Sequence, residues 1–255
     1  HLRPRRQRQM CIRDSSGGVI AQAIDYTGAV GDVDTVTLTG GGSFATGQFN
    51  IESGASTIAL AGNGQLTYDN VGTVVSNLSI ADLTAKYSDF DRNRIDINDL
   101  GGGMTELDSI VGFSNPETET VRFVNPTDAL TLDLGTSFSD TASVASFATP
   151  FDGHFTFRGA SVSLQVPVQL TNGHDFRVES GQLQAFASLI SAPGGTILVD
   201  QTFSVSQDTT LTANDVVLNG SAQGVPAGMH ALVVQGNLTM NSAGNAGRDF
   251  RTMRV

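Results

Sequence analysis

Tryptophan is absent from this chain, and cysteine occurs once, at position 11. No disulfide framework can staple the fold, which must rest on packed apolar residues. No run of about 18 apolar residues occurs, so no membrane-spanning helix is legible. Cations are scarce: 14 Lys and Arg face 25 Asp and Glu, a net charge of −11. That balance argues against a nucleic-acid partner, because phosphates are held by Lys and Arg. No GxSxG elbow and no HExxH signature is present. His154, His174 and His230 stand isolated, with no catalytic or metal-ligating pattern around them. The length of 255 residues still allows one or two domains with a sizeable core.

The first segment differs from the rest. His1–Ser15 (HLRPRRQRQMCIRDS) holds five of the 14 basic residues and the cysteine. A secretory signal needs an apolar stretch of roughly 7–15 residues after its basic start, and none follows. Arg5–Asp14 back-translates to CGT CGG CAG CGT CAG ATG TGT ATA AGA GAC, with AG opening the Ser15 codon. That string resembles the transposase-type adapter of short-read DNA libraries. Residues 1–15 are therefore read as an adapter artefact and expected to be disordered. Residues 16–255 then carry 9 basic and 24 acidic residues, a net of −15, and no cysteine. The natural frame is expected to continue beyond both ends.

Periodicity points to strands. Thr35–Thr39, Arg94–Asn98, Leu130–Leu134 and Phe155–Phe157 alternate polar and apolar residues, which sends one set inward and one outward. Gly, Asn, Asp and Pro punctuate the gaps. Candidate strands are 33–39, 56–60, 65–68, 93–99, 107–113, 120–124, 129–134 and 154–158. Only Val74–Lys86 has apolar spacing that would also suit a helix, against its Ser, Thr and Asn content.

Three segments align 35 residues apart: Ser161–Thr171, Thr196–Ser206 and Ala231–Asn241. Val162, Ile197 and Leu232 fall in one apolar column, and Leu164, Val199 and Val234 in another. Turns are placed at Asn172-Gly173, Gly194-Gly195 and Asn219-Gly220. Fixed apolar columns suit stacked coils, each covering the inward face of the next. The expected fold is all-β, a right-handed parallel β-helix with a 35-residue period over 161–255, with β-sandwich modules as the alternative. Residues 16–160 are expected to be irregular: wide coils of the same solenoid or a separate sheet unit.

Two stretches invite a metal. Gly28–Leu38, with Asp32 and Asp34, has the glycine–aspartate composition of calcium-binding β-rolls, but in one imperfect copy. Asp89, Asp91 and Asn93 match the first three oxygen positions of an EF-hand-like loop, but Arg94 replaces its glycine. The competing expectation is a strand with Ile95 and Ile97 inward. No catalytic residue and no cofactor is assigned; Ca²⁺ at those five residues is the weak candidate. Asp200, Asp208 and Asp215 are read as solvated turn positions. Lys86, Arg92, Arg94, Arg122, Arg158 and Arg177 are the cations of residues 16–247 and look scattered, except for Arg92 and Arg94.

Arg122–Leu134 (RFVNPTDALTLDL) resembles modules of very large repetitive surface proteins of environmental bacteria. Ser191-Ala-Pro-Gly-Gly-Thr-Ile-Leu-Val199 resembles coils of the filamentous-haemagglutinin and autotransporter type. This resemblance, to a class and through low-complexity motifs, implies a secreted or outer-surface bacterial β-solenoid, non-enzymatic, serving as a spacer or adhesin stalk. Its implied partners are glycans or a neighbouring cell surface, and further coils at both ends. A carbohydrate-active β-helix (lyase or hydrolase) and a non-catalytic calcium- or carbohydrate-binding module are the alternatives.

Overall fold

A computed structural model of the chain describes residues 9–14, 23–28, 34–40, 42–52, 54–87, 93–111, 117–135, 140–147, 150–159, 161–171, 173–241, 250 and 252–255. These residues are all-β, and no described helix is long and apolar enough to cross a membrane. The strands of the first half are β1 (Gln9–Asp14), β2 (Ile24–Thr27), β3 (Thr35–Gly40), β4 (Ser43–Ile51), β5 (Ser56–Leu60), β6 (Leu66–Asp69), β7 (Thr73–Ser76), β8 (Ser79–Tyr87), β9 (Arg94–Gly101), β10 (Met104–Val111) and β11 (Glu117–Val124). Then come β12 (Ala129–Asp133), β13 (Thr141–Val144), β14 (His154–Arg158), β15 (Ser161–Leu164), β16 (Val168–Gln169), β17 (Phe176–Glu179) and β18 (Gln182–Ala185). The last are β19 (Leu189–Val199), β20 (Phe203–Val205), β21 (Thr209–Leu218), β22 (Ala222–Gly224), β23 (Ala231–Met240) and β24 (Thr252–Arg254).

They form two mixed sheets and no closed barrel. Sheet A runs β1-β3-β7-β11-β10-β9-β13-β15-β18-β20-β22. Sheet B runs β2-β6-β5-β4-β8-β12-β14-β17-β19-β21-β23-β24, with β16 also on β19. Up to β23 the chain passes back and forth between the sheets. In the first half two of the passes are widened into three-stranded antiparallel meanders, β4-β5-β6 and β9-β10-β11. Both sheets run on past residue 160, where β13 pairs with β15 and β14 with β17. Gln9–Asp14, inside the segment expected to be disordered, lies as a parallel strand on β3. An open sheet edge templates any extended neighbour.

The interior is built from columns. On sheet B, Leu83, Leu130, Phe155, Phe176, Ile197 and Val216 stack in register, all essentially inaccessible. On sheet A the matching column is Ile95, Ala142, Val162, Leu183, Phe203 and Ala222. Period-two alternation sends these side chains inward, and each buried large one contributes about 1.5–3 kcal/mol. Ile95 and Ile97 are fully buried, as the strand reading of 93–99 expects.

The spacing of the columns differs from expectation. From Val162 the parallel partner is Leu183, and from Ile197 it is Val216. In-register neighbours thus follow at about 21 residues rather than 35. Val162 lies on sheet A, whereas Ile197 and Leu232 lie on sheet B. Segments open at residues 161, 168, 176, 182, 189, 196 and 203, about every seven residues, and parallel partners lie three segments apart. An offset of 35 spans five such segments and so lands on a different face. Pro193-Gly194-Gly195 is likewise no turn between strands; it marks a register shift inside β19. Val74–Lys86 is strand, link and strand.

Candidate functional site

Among the described residues, titratable groups gather on the outer face of sheet B, across β8, β12, β14 and β17. Register sets it. Lys86 pairs with Asp133, Asp133 with Arg158, and Arg158 with Glu179, so charge alternates strand by strand. The Arg158 guanidinium Nε donates to Glu179 Oε2 at 2.9 Å. The column continues in amides: Asn219 Nδ2 donates to Asp200 Oδ1 at 2.8 Å and Asn241 Nδ2 to Asn219 Oδ1 at 2.7 Å.

A second outward column runs Asp82, Ala129, His154, Asp175 and Thr196. His154 Nδ1 accepts the Asp175 backbone N–H at 3.0 Å, so in the neutral ring the proton is assigned to Nε2. His154 and His174 rings meet edge to face with centroids 4.9 Å apart. His174 Nε2 lies 3.4 Å from Asp152 Oδ1, which accepts from the Thr171 hydroxyl at 2.6 Å. Asp175 accepts from Arg177 at 2.8 Å and from the Thr196 N–H at 2.7 Å. Burial pushes the Asp175 carboxyl up, but these hydrogen bonds outweigh it and hold the group below its ordinary range. Burial, then the charge and hydrogen bond of Asp128, raise Asp82; His154 partly opposes them.

Chemically this is a set of ties between neighbouring strands. The carboxyl groups of Asp82 and Asp128 are near neighbours, and the charge of Asp128 adds to burial in raising Asp82. Among the described residues no group of three or more His, Cys, Asp or Glu is arranged to hold a metal ion. A cavity of about 50 Å³ lies elsewhere, lined mainly by Leu38, Phe44, Ile58, Leu60 and Leu66. It carries no titratable lining group and is small even for one sugar ring.

Of the calcium candidates, Asp32, Asp89 and Asp91 lie outside the described residues. Asp34 is fully buried and accepts from the Tyr26 hydroxyl at 3.2 Å. Asn93 is buried, and its N–H donates to Asp140 Oδ1 at 2.7 Å. The two are not brought together: Asp34 precedes β3 and Asn93 precedes β9, with β7, β11 and β10 between those strands.

The scattered cations are a correction. Lys86, Arg158 and Arg177 converge on one face, although 72 and 19 residues separate them along the chain. A self-alignment at 21 residues, setting Phe155-Thr-Phe-Arg158 over Phe176-Arg-Val-Glu179, would have shown the pairing. Set against protein-family models, curated proteins and solved structures, the chain matches none of them.

Proposed function

We propose that the chain is a length of right-handed parallel β-helix from a secreted or cell-surface bacterial repeat protein, acting as a stiff spacer or adhesin stalk. The observation that carries this reading is the unbroken run of in-register inward columns through β12, β14, β17, β19 and β21. Stacked backbone hydrogen bonds resist bending, and each turn covers the apolar face of the next. The outer ladders of sheet B add cross-strand ties where the sides are exposed to solvent.

Force spectroscopy tests it. Pulling the chain by its ends should release length in steps of one turn, about 21 residues or roughly 70 Å at about 3.4 Å per residue. Smooth extension at low force, or release of reducing sugar from any polysaccharide, overturns the reading.

A further inference from the structure

The outer face of sheet A differs sharply from that of sheet B. Between β13 and β22 it presents three columns across five strands. The first is Thr141, Ser161, Gln182, Thr202 and Ser221, fixed by strand register and by the N–H bonds from Leu183 to Thr202 O and from Phe203 to Ser221 O. The second is Ser143, Ser163, Gln184, Ser204 and Gln223. The backbone ladder extends one residue past the strands and adds Ala145, Gln165, Phe186, Ser206 and Val225. None of these positions is charged, in a chain of net charge −11. Over β14 and β17 the outward positions of sheet B hold His154, Arg158, Asp175, Arg177 and Glu179.

We propose that this face binds an uncharged polysaccharide. Hydroxyls and carboxamides each donate and accept, which is what a sugar's hydroxyl groups require. Displacing water from them carries no charge-desolvation penalty. Strands about 4.8 Å apart repeat the same groups along a line, as a polymer repeats its rings. Phe186 is 38% exposed in the third column and offers an aromatic face for the apolar side of a sugar ring. Val225, 41% exposed, is a second apolar position two strands further along the same column, beyond Ser206.

The side chains are partly ordered in advance. Gln165 Nε2 donates to Ser163 Oγ at 2.6 Å and Gln184 Nε2 to Ser206 Oγ at 3.3 Å. The Gln207 amide donates to the Phe186 carbonyl, holding that turn in place. Preorganised groups lose less freedom on binding. The acidic remainder of the surface repels polyanions, so discrimination against acidic polymers follows from the same charge distribution.

This inference rests on the adhesive side of the spacer reading, not on its stiffness. The probes are cellulose particles, laminarin and galactomannan, with polygalacturonate as the charged control. The full chain should be retained by at least one neutral probe and not by polygalacturonate. Phe186→Ala should weaken retention about tenfold. Ser204→Asp, which places a charge mid-face, should weaken it further, with the circular dichroism melt of both variants unchanged. Failure to bind any neutral probe overturns the proposal, as does equal binding of the charged control or of both variants. Sedimentation covers the other occupant: self-association that Ser204→Asp abolishes, without glycan retention, assigns the face to a second copy and also overturns it. The stepwise force signature is independent of all these outcomes, so either reading can fail alone.

Discussion

From β12 to β23 every strand pairing is parallel; between β2 and β11 two antiparallel meanders interrupt the same two sheets. The interiors differ accordingly. From Ala129 to Asn241 the buried polar side chains among the described residues are Asp140, Thr156 and Thr209. The first half buries Asp34, Ser56, Ser76, Asn93, Thr105, Ser109 and Glu119. Parallel in-register pairing sets like residues over one another, so an apolar column stays apolar. A meander breaks the column and brings unlike strands together. Glu119 of β11 then faces Tyr68 and Ser56 of sheet B. The Tyr68 hydroxyl donates to Glu119 Oε1 at 2.5 Å and the Ser56 hydroxyl to Oε2 at 3.3 Å. A buried carboxyl group is tolerable only with such partners. The first half is held by a specific polar cluster, the second by repetition.

The largest effect should come from emptying a column of the repetitive half. Phe155 is inaccessible, stacks on Phe147 with centroids 4.6 Å apart, and also meets Phe157 and Phe176. Phe155→Ala should cost about 3–5 kcal/mol through lost transfer energy and the cavity left behind. All three tyrosines, at 26, 68 and 87, lie in the first half, so their fluorescence reports that half alone. Near-neighbour coupling in a stack predicts that the urea midpoint by circular dichroism falls more than the tyrosine midpoint. Equal shifts by both probes would show one cooperative unit and remove the distinction.

Glycines sharpen the contrast next. Gly159 has φ of +71° against the carbonyl of Gly135 on the preceding turn, and a Cβ there would collide with that oxygen. Gly62, in the loop between β5 and β6, has φ of +76° with nothing within 4 Å of a built Cβ. Gly62→Ala should cost about 1–2 kcal/mol from the left-handed conformation alone. Gly159→Ala adds a backbone clash between turns and should be worse by at least a further ~1 kcal/mol. Comparable melting temperatures for the two variants would mean the stacked turns are not tightly packed at this corner.

Much of this was legible from period two. Arg94–Asn98 and Leu130–Leu134 alternate cleanly because one face is buried and the other is not. The interval between turns was misread because the seven-residue segment, not the whole turn, carries the visible pattern. Val162, Ile197 and Leu232 look equivalent in sequence, yet they occupy different faces. Val74–Lys86 mimics helical spacing because the short link Asn77-Leu78 buries Leu78 between two strands. The outer face of sheet B stayed hidden for the same reason: Asp133, Arg158 and Glu179 meet only when the correct turn length aligns them. The Tyr68–Glu119 contact spans 51 residues between sheets, and no local pattern announces it.

That contact supplies the smallest and most diagnostic effect. Burial, then the charge of Glu119, raise the Tyr68 hydroxyl well above its ordinary value of 10.0; burial does the same at Tyr87, again with Glu119 adding to it. Both protons are held more tightly in the folded chain than in the unfolded one. Their contribution is therefore complete below about pH 10 and is lost as pH rises through the folded values. Above pH 10 stability should fall by about 1.4 kcal/mol per pH unit for each tyrosine. The repetitive half contains no tyrosine and should lack this term. Urea midpoints measured from pH 8 to 11.5 should thus decline for the tyrosine signal before the circular dichroism signal of the remainder. Tyr68→Phe should halve that alkaline slope while lowering stability at pH 8 by about 1–3 kcal/mol, since Glu119 Oε1 loses its donor. An unchanged slope in Tyr68→Phe would show that the buried cluster does not hold the first half together.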